Sequence, residues 1–171
     1  MTKLTIAGAL LACVSLLASP VYAQPKATAE IKDASGKLLG EAVLAQRDGA
    51  VEIDVTLTGL PKGTHAFHIH EVGRCDPPFE SAGEHFNPER KQHGKDNARG
   101  PHLGDLPNIE VSDSGRVKLQ VAVKGVSLDG GPGALLDGDG ASLVVHEGED
   151  DYKTDPAGNA GKRLACGVIH R

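Results

Sequence analysis

Val51-Glu52-Ile53-Asp54-Val55-Thr56-Leu57 alternates apolar and polar residues without a break, and Val117-Lys118-Leu119-Gln120-Val121 repeats the pattern. Successive side chains of an extended strand point to opposite faces, so each run offers one face to a core and one to solvent. No segment of the chain carries a convincing helical period. Short runs, mostly rich in Val, Ile, Leu and Thr, span residues 27–32, 38–45, 51–58, 65–71, 109–112, 116–123, 142–146 and 163–169. Turn signals at Ser35-Gly36, Asp48-Gly49, Pro61-Lys62-Gly63 and Ser114-Gly115 separate several of them. The expected fold is all-β, an antiparallel sandwich or barrel of about eight strands.

Two long segments stand outside the strands. Residues 72–108 hold Pro77-Pro78, many charges and several glycines, and residues 147–162 are polar and glycine-containing. Loops of this length in a compact domain are functional or disordered. The eight histidines point to function. His65, His68 and His70 lie in one strand; His85, His93 and His102, followed by Asp105, lie in the first loop; His146 stands at the threshold of the second. His170, next to the C-terminal residue, reads as a solvated side chain. On a strand His68 and His70 share a face with Ile69 opposite, which lets two imidazoles grip one metal ion. Taken alone, such a pair is equally a polar sheet face.

Residues 1–23 read as a bacterial-type export signal, with Lys3, an apolar run from Leu4 to Leu17, and a small-residue cleavage pattern at Val21-Tyr22-Ala23. That run is too short for a permanent transmembrane helix, and no other stretch approaches one. Leu10-Leu11-Ala12-Cys13 resembles a lipoprotein cleavage site, but the apolar region continues past Cys13 and a conventional site follows, so lipid anchoring ranks second. Residues 24–171 suit one domain with one core in a periplasmic or secreted protein. The formal charge of −5 becomes one unit more negative when Lys3 leaves, which disfavours nucleic acid and anionic membranes as partners. In an oxidising compartment Cys75 and Cys166 most simply form one bridge, two free thiols being the alternative.

Five blocks resemble the signatures of the copper/zinc superoxide dismutases. They are Gly63-Thr64-His65-Ala66-Phe67-His68-Ile69-His70-Glu71, Ser81-Ala82-Gly83-Glu84-His85-Phe86-Asn87-Pro88, His102-Leu103-Gly104-Asp105-Leu106-Pro107-Asn108, Leu143-Val144-Val145-His146-Glu147, and residues 158–169 from Gly158 to Ile169. They run in order over essentially the whole chain after residue 23. The resemblance implies a Greek-key fold whose two long loops build a metal site holding one copper and one zinc. Copper would be held by His68, His70, His85 and His146, and zinc by His85, His93, His102 and Asp105, with His85 shared. The donor chemistry agrees, since four imidazoles suit a redox-cycling copper and three imidazoles with a carboxylate suit a closed zinc. The activity implied is dismutation of superoxide to dioxygen and hydrogen peroxide, with His85 passing a proton and Arg163 orienting the anion. Asp150 resembles the carboxylate that links His68 to His93, with Asp151 beside it easily confused, and His65 resembles a non-ligand histidine that joins loops.

The chain also departs from the family pattern. Ala66 replaces a usual glycine, Glu84 stands where proline is frequent, and residues 147–161 are shorter than in animal and plant members. Ala157 takes the place of a common channel threonine, which leaves Lys153, Lys162 and Arg163 to attract the anion. The sequence stops at Arg171, short of the tail of many dimeric members, so both a homodimer and a monomer are open. The competing function is a periplasmic copper/zinc binding or buffering protein without catalysis. Such proteins favour labile sites with Met or Cys ligands, and the one Met here is residue 1.

Overall fold

The computed structural model describes residues 26–171, so the export signal, its cleavage pattern at Val21-Tyr22-Ala23 and the Cys13 site expected from the sequence lie outside the described residues. Among the described residues nine strands form: β1 (Lys26–Asp33), β2 (Leu38–Arg47), β3 (Ala50–Thr58), β4 (Gly63–His65), β5 (Phe67–His70), β6 (Ile109–Val111), β7 (Arg116–Lys124), β8 (Ser142–His146) and β9 (Arg163–Val168). The one helical turn among the described residues is a 3₁₀ turn at Glu80–Ala82. Seven strands make one antiparallel sheet in the order β5-β8-β9-β1-β2-β3-β7, and β4 pairs with β6. The chain leaves β3 near one end of that order and re-enters at β5 at the other, the crossing expected of a Greek key. β4 runs into β5 and β6 into β7, so the small pair continues both ends of the large sheet and curls it into a barrel.

The alternation read from the sequence is the one that packs. Val51, Ile53, Val55 and Leu57 of β3 are buried, with Glu52, Asp54 and Thr56 on the outer face. They meet Ile31, Leu44, Phe67, Ile69, Leu143 and Val145 in the barrel core. Each such side chain contributes roughly 1.5–3 kcal/mol of burial energy.

Two features differ from the expectation. The run at residues 65–71 breaks at Ala66 into strands of different sheets, His65 facing Ile109 and Phe67 facing Val145. Ala66 bonds outside both ladders, its N–H donating to Gly148 O at 2.8 Å and its carbonyl accepting from His146 N–H at 2.9 Å. In addition, a third long segment, residues 125–141, carries the chain from β7 across to β8.

β5 and β8 are buried on both faces, and this positions the site. Phe67, Ile69, Leu143 and Val145 face the barrel core, which turns His68, His70 and His146 outward beneath the long loops. Residues 71–108 double back over β5: Phe86 N–H donates to Ile69 O, Gly104 N–H to Phe86 O, and Ile69 N–H to Gly104 O, each at 2.9 Å. His85 is thereby paired with His70 and Asp105 with His68. Only glycine fits at 104, because a Cβ there would overlap Ile69 O and sit 2.9 Å from Phe86 N. Cys75 and Cys166 are disulfide-bonded, joining this loop to β9, and Phe79, Ala82, Val144 and Cys166 pack a second small core under it.

Candidate metal centre

Four buried imidazole nitrogens have no hydrogen-bond partner: His68 Nδ1, His70 Nε2, His85 Nε2 and His146 Nε2. The candidate ligand atoms of these four residues lie within 4.8 Å of one another. An unpartnered buried nitrogen is costly, and four converging ones fit a common cation. The opposite ring nitrogens are engaged. His68 Nε2–H donates to Asp150 Oδ2 at 2.9 Å, His70 Nδ1–H to Gly83 O at 2.9 Å, and His146 Nδ1–H to Gly161 O at 3.4 Å. Burial holds His68 down to about 4 and His146 to about 3, and pushes His70 well below its ordinary value. These three rings are therefore neutral at pH 7, with free lone pairs aimed at one point. Four imidazoles are a donor set that suits copper.

A second cluster abuts the first and shares His85. The Nδ1 atoms of His85, His93 and His102 lie 2.9, 3.0 and 3.2 Å from Asp105 Oδ1. Asp105 Oδ2 accepts the Gly94 and His102 backbone N–H groups at 2.8 and 3.0 Å, which fixes Oδ1 toward the rings. Burial pushes the Asp105 carboxyl up, but hydrogen bonds from His102, His85, His93 and Gly94 outweigh it and hold the group far below the usual carboxylate range. Burial likewise pulls His93 down, and its bonds to Asp105 and Asp150 overcome that and raise it to about 9. Three imidazoles and one carboxylate suit tetrahedral zinc.

Asp150 spans the two clusters. Its Oδ1 accepts from His93 Nε2–H at 2.8 Å while Oδ2 takes His68, so one carboxylate orients a ring on each side. Neighbouring Asp151 is exposed and caps its own loop through Lys153 N–H, Thr154 N–H and Asn159 Nδ2, which separates the two acids by role. Gly158, at φ +62°, leaves room for the contact, since a Cβ would overlap Asp150 Oδ1 and lie 2.7 Å from His93 Nε2. His65 lies between two carbonyls, 2.8 Å from His146 O and 3.0 Å from Pro61 O, with neither nitrogen in a cluster.

The comparisons with known proteins agree with this geometry. Residues 38–169 match the family model described as copper/zinc superoxide dismutase (SODC). The chain belongs to the copper/zinc superoxide dismutase family. It is 47% identical over 160 residues to superoxide dismutase [Cu-Zn] 1 of Aquifex aeolicus, covering 92% of this chain and 95% of that one. It is 40% identical over 144 residues to the superoxide dismutase-like protein YojM of Bacillus subtilis, covering 82% and 74%. Among solved structures, a SOD-like protein from Bacillus subtilis superposes with a TM-score of 0.79 at 39% identity, over 82% of this chain and 96% of that one.

Within this member of the superoxide dismutase family, Arg163 stands directly opposite His146 across the β8–β9 ladder, where the register shifts after Val145. Its guanidinium donates to Phe79 O at 2.7 Å and Gly83 O at 2.8 Å. Gly83 O also accepts from His70, so one carbonyl steadies a cluster histidine and the arginine together. The loop that offers these carbonyls is the one the disulfide anchors. Sequence reasoning did not find the support around Asp150. Asn108 Oδ1 accepts the Asp150 N–H at 2.9 Å, and Tyr152 contributes its N–H to Asp150 Oδ1 at 2.6 Å and its hydroxyl as acceptor for Asn108 N–H at 2.7 Å. The available signal was Tyr152 itself, the one tyrosine after residue 23, placed in a polar loop.

Proposed function

We propose that this protein dismutes superoxide, with His68, His70, His85 and His146 holding copper and His85, His93, His102 and Asp105 holding zinc. The observation that carries the reading is the sharing of His85, whose Nε2 is one of the four unpartnered nitrogens while Nδ1 belongs to the Asp105 cluster. Bound copper supplies a one-electron couple between Cu(II) and Cu(I), and bound zinc a fixed charge beside the shared ring. Two superoxide anions and two protons become one dioxygen and one hydrogen peroxide, so anion and proton must meet at the same place. Arg163 meets the anion: two of its five guanidinium N–H groups are fixed on carbonyls, which sets the plane in which the others point. His85 Nε2, whenever it is not engaged by copper, is the atom at which the chain would hold a proton for the reduced substrate. Asp150 keeps His68 and His93 each in one tautomer.

Residues 1–23 act in this reading as an export signal, and the Cys75–Cys166 bridge suits an oxidising compartment. Among the described residues no helix is long and apolar enough to cross a membrane. All residues of both clusters come from one chain, so a homodimer and a monomer would carry the same site.

Superoxide consumption by protein loaded with copper and zinc tests the reading. His146→Ala is expected to lower turnover to that of buffer while zinc is retained. Arg163→Ala is expected to lower kcat/KM about tenfold at low salt with copper content unchanged. Unaltered turnover in both variants contradicts these roles, and a wild type that binds both metals without turnover marks a metal-buffering protein instead.

A further inference from the structure

The 3₁₀ turn that holds Arg163 also sets a negative charge beside it. Glu80 Oε2 lies 3.8 Å from Arg163 Nη2, a distance too long for a hydrogen bond. The arginine does not need that carboxylate for its position, because Phe79 O and Gly83 O already fix it at 2.7 and 2.8 Å. These two carbonyls flank Glu80 in the chain, so the contacts that orient Arg163 also hold the backbone of Glu80 in place. The Arg163 side chain is 12% exposed and that of Glu80 77%, which puts the carboxylate on the solvent side of the guanidinium.

We propose that Glu80 is a specificity-determining residue that keeps Arg163 from capturing multiply charged anions. This rests on Arg163 being the anion contact of the dismutase reading. A negative charge beside the guanidinium opposes an incoming anion in proportion to the anion's own charge, so a dianion is penalised twice as much in free energy as a monoanion. Superoxide carries one negative charge, whereas sulfate-like oxyanions carry two and match the guanidinium fork well. Glu80 therefore trades some attraction for superoxide against a larger rejection of such competitors.

The test compares azide, a small monoanion, with sulfate on the copper- and zinc-loaded wild type, Glu80→Gln and Glu80→Asp at low, constant ionic strength. Azide binding is read from its copper absorption band and sulfate binding by competition with azide. Glu80→Gln is expected to tighten azide about threefold and sulfate about tenfold, with both gains collapsing near 1 M salt, where the screening length is about 3 Å. Glu80→Asp, which keeps the charge, is expected to stay near the wild type. Glu52→Gln, which removes a charge from the outer face of β3, controls for net charge and should not reproduce the difference. Equal tightening of both anions, weakening of both, or Glu80→Asp matching Glu80→Gln would overturn the proposal. Wild-type turnover reports separately on the dismutase reading. If no copper is taken up, protection of Arg163 from phenylglyoxal by sulfate and by azide gives the same two ratios.

Discussion

Both oxygens of Asp150 are committed to imidazoles, one from each cluster that shares His85; Tyr152 N–H holds the carboxylate and Asn108 holds the Asp150 backbone. Asp150→Asn replaces one acceptor with a donor, so one ring loses its partner or adopts the wrong tautomer. Metal affinity is expected to fall 10–100-fold with the fold intact, measured by chelator competition; unchanged affinity would show that the tautomers are set elsewhere. The same residue marks a limit of sequence reading. His68 and His70 are legible as a pair because the strand period forces them onto one face. Asp150 and Asp151 are adjacent in a loop without a period, and only the folded loop shows that Asp151 is used in capping while Asp150 reaches the rings. Asn108 and Tyr152 act through backbone atoms and through each other, and such contacts leave no spacing to read.

At the scale of elements, the strands that alternate strictly were the easiest to place, since one buried face fixes both the period and the boundary. The break at Ala66 is not legible in the same way, because Phe67 and Ile69 mark the run as extended while the change of sheet depends on partners far along the chain. The strands that carry the site, β5 and β8, are buried on both faces because the long loops fold back onto them. The disulfide holds one of those loops to β9, closing a separation of 91 residues. Cys75→Ala with Cys166→Ala is expected to cost about 2–5 kcal/mol and to lower the Tm in a thermal melt. It should also lower activity more than metal content, since Phe79 O and Gly83 O, which hold Arg163, lie in the released loop. A Tm and an activity equal to those of the wild type would contradict that role.

Across the whole molecule, metal binding and folding stability are coupled through the same buried histidines. In the metal-free protein, His68 at about 4 and His146 at about 3 lie below the ordinary 6.5, so the unfolded chain takes up protons first. The stability they contribute is full above pH 6.5 and is lost as the pH falls through about 4 and 3. His93, raised to about 9, acts with the opposite sign: its contribution is full below pH 6.5 and is lost as the pH rises through 9. The metal-free protein is therefore expected to melt highest near pH 6.5 and lower on either side, and a melting profile that rises or falls steadily across that range would contradict the assignment. The central claim, that one histidine joins a redox metal to an inert one for superoxide chemistry, is tested most directly by metal content and superoxide consumption measured on one preparation of residues 24–171. The expected result is one copper and one zinc per chain with turnover far above that of buffer. Full loading of both metals with consumption no faster than buffer would contradict it.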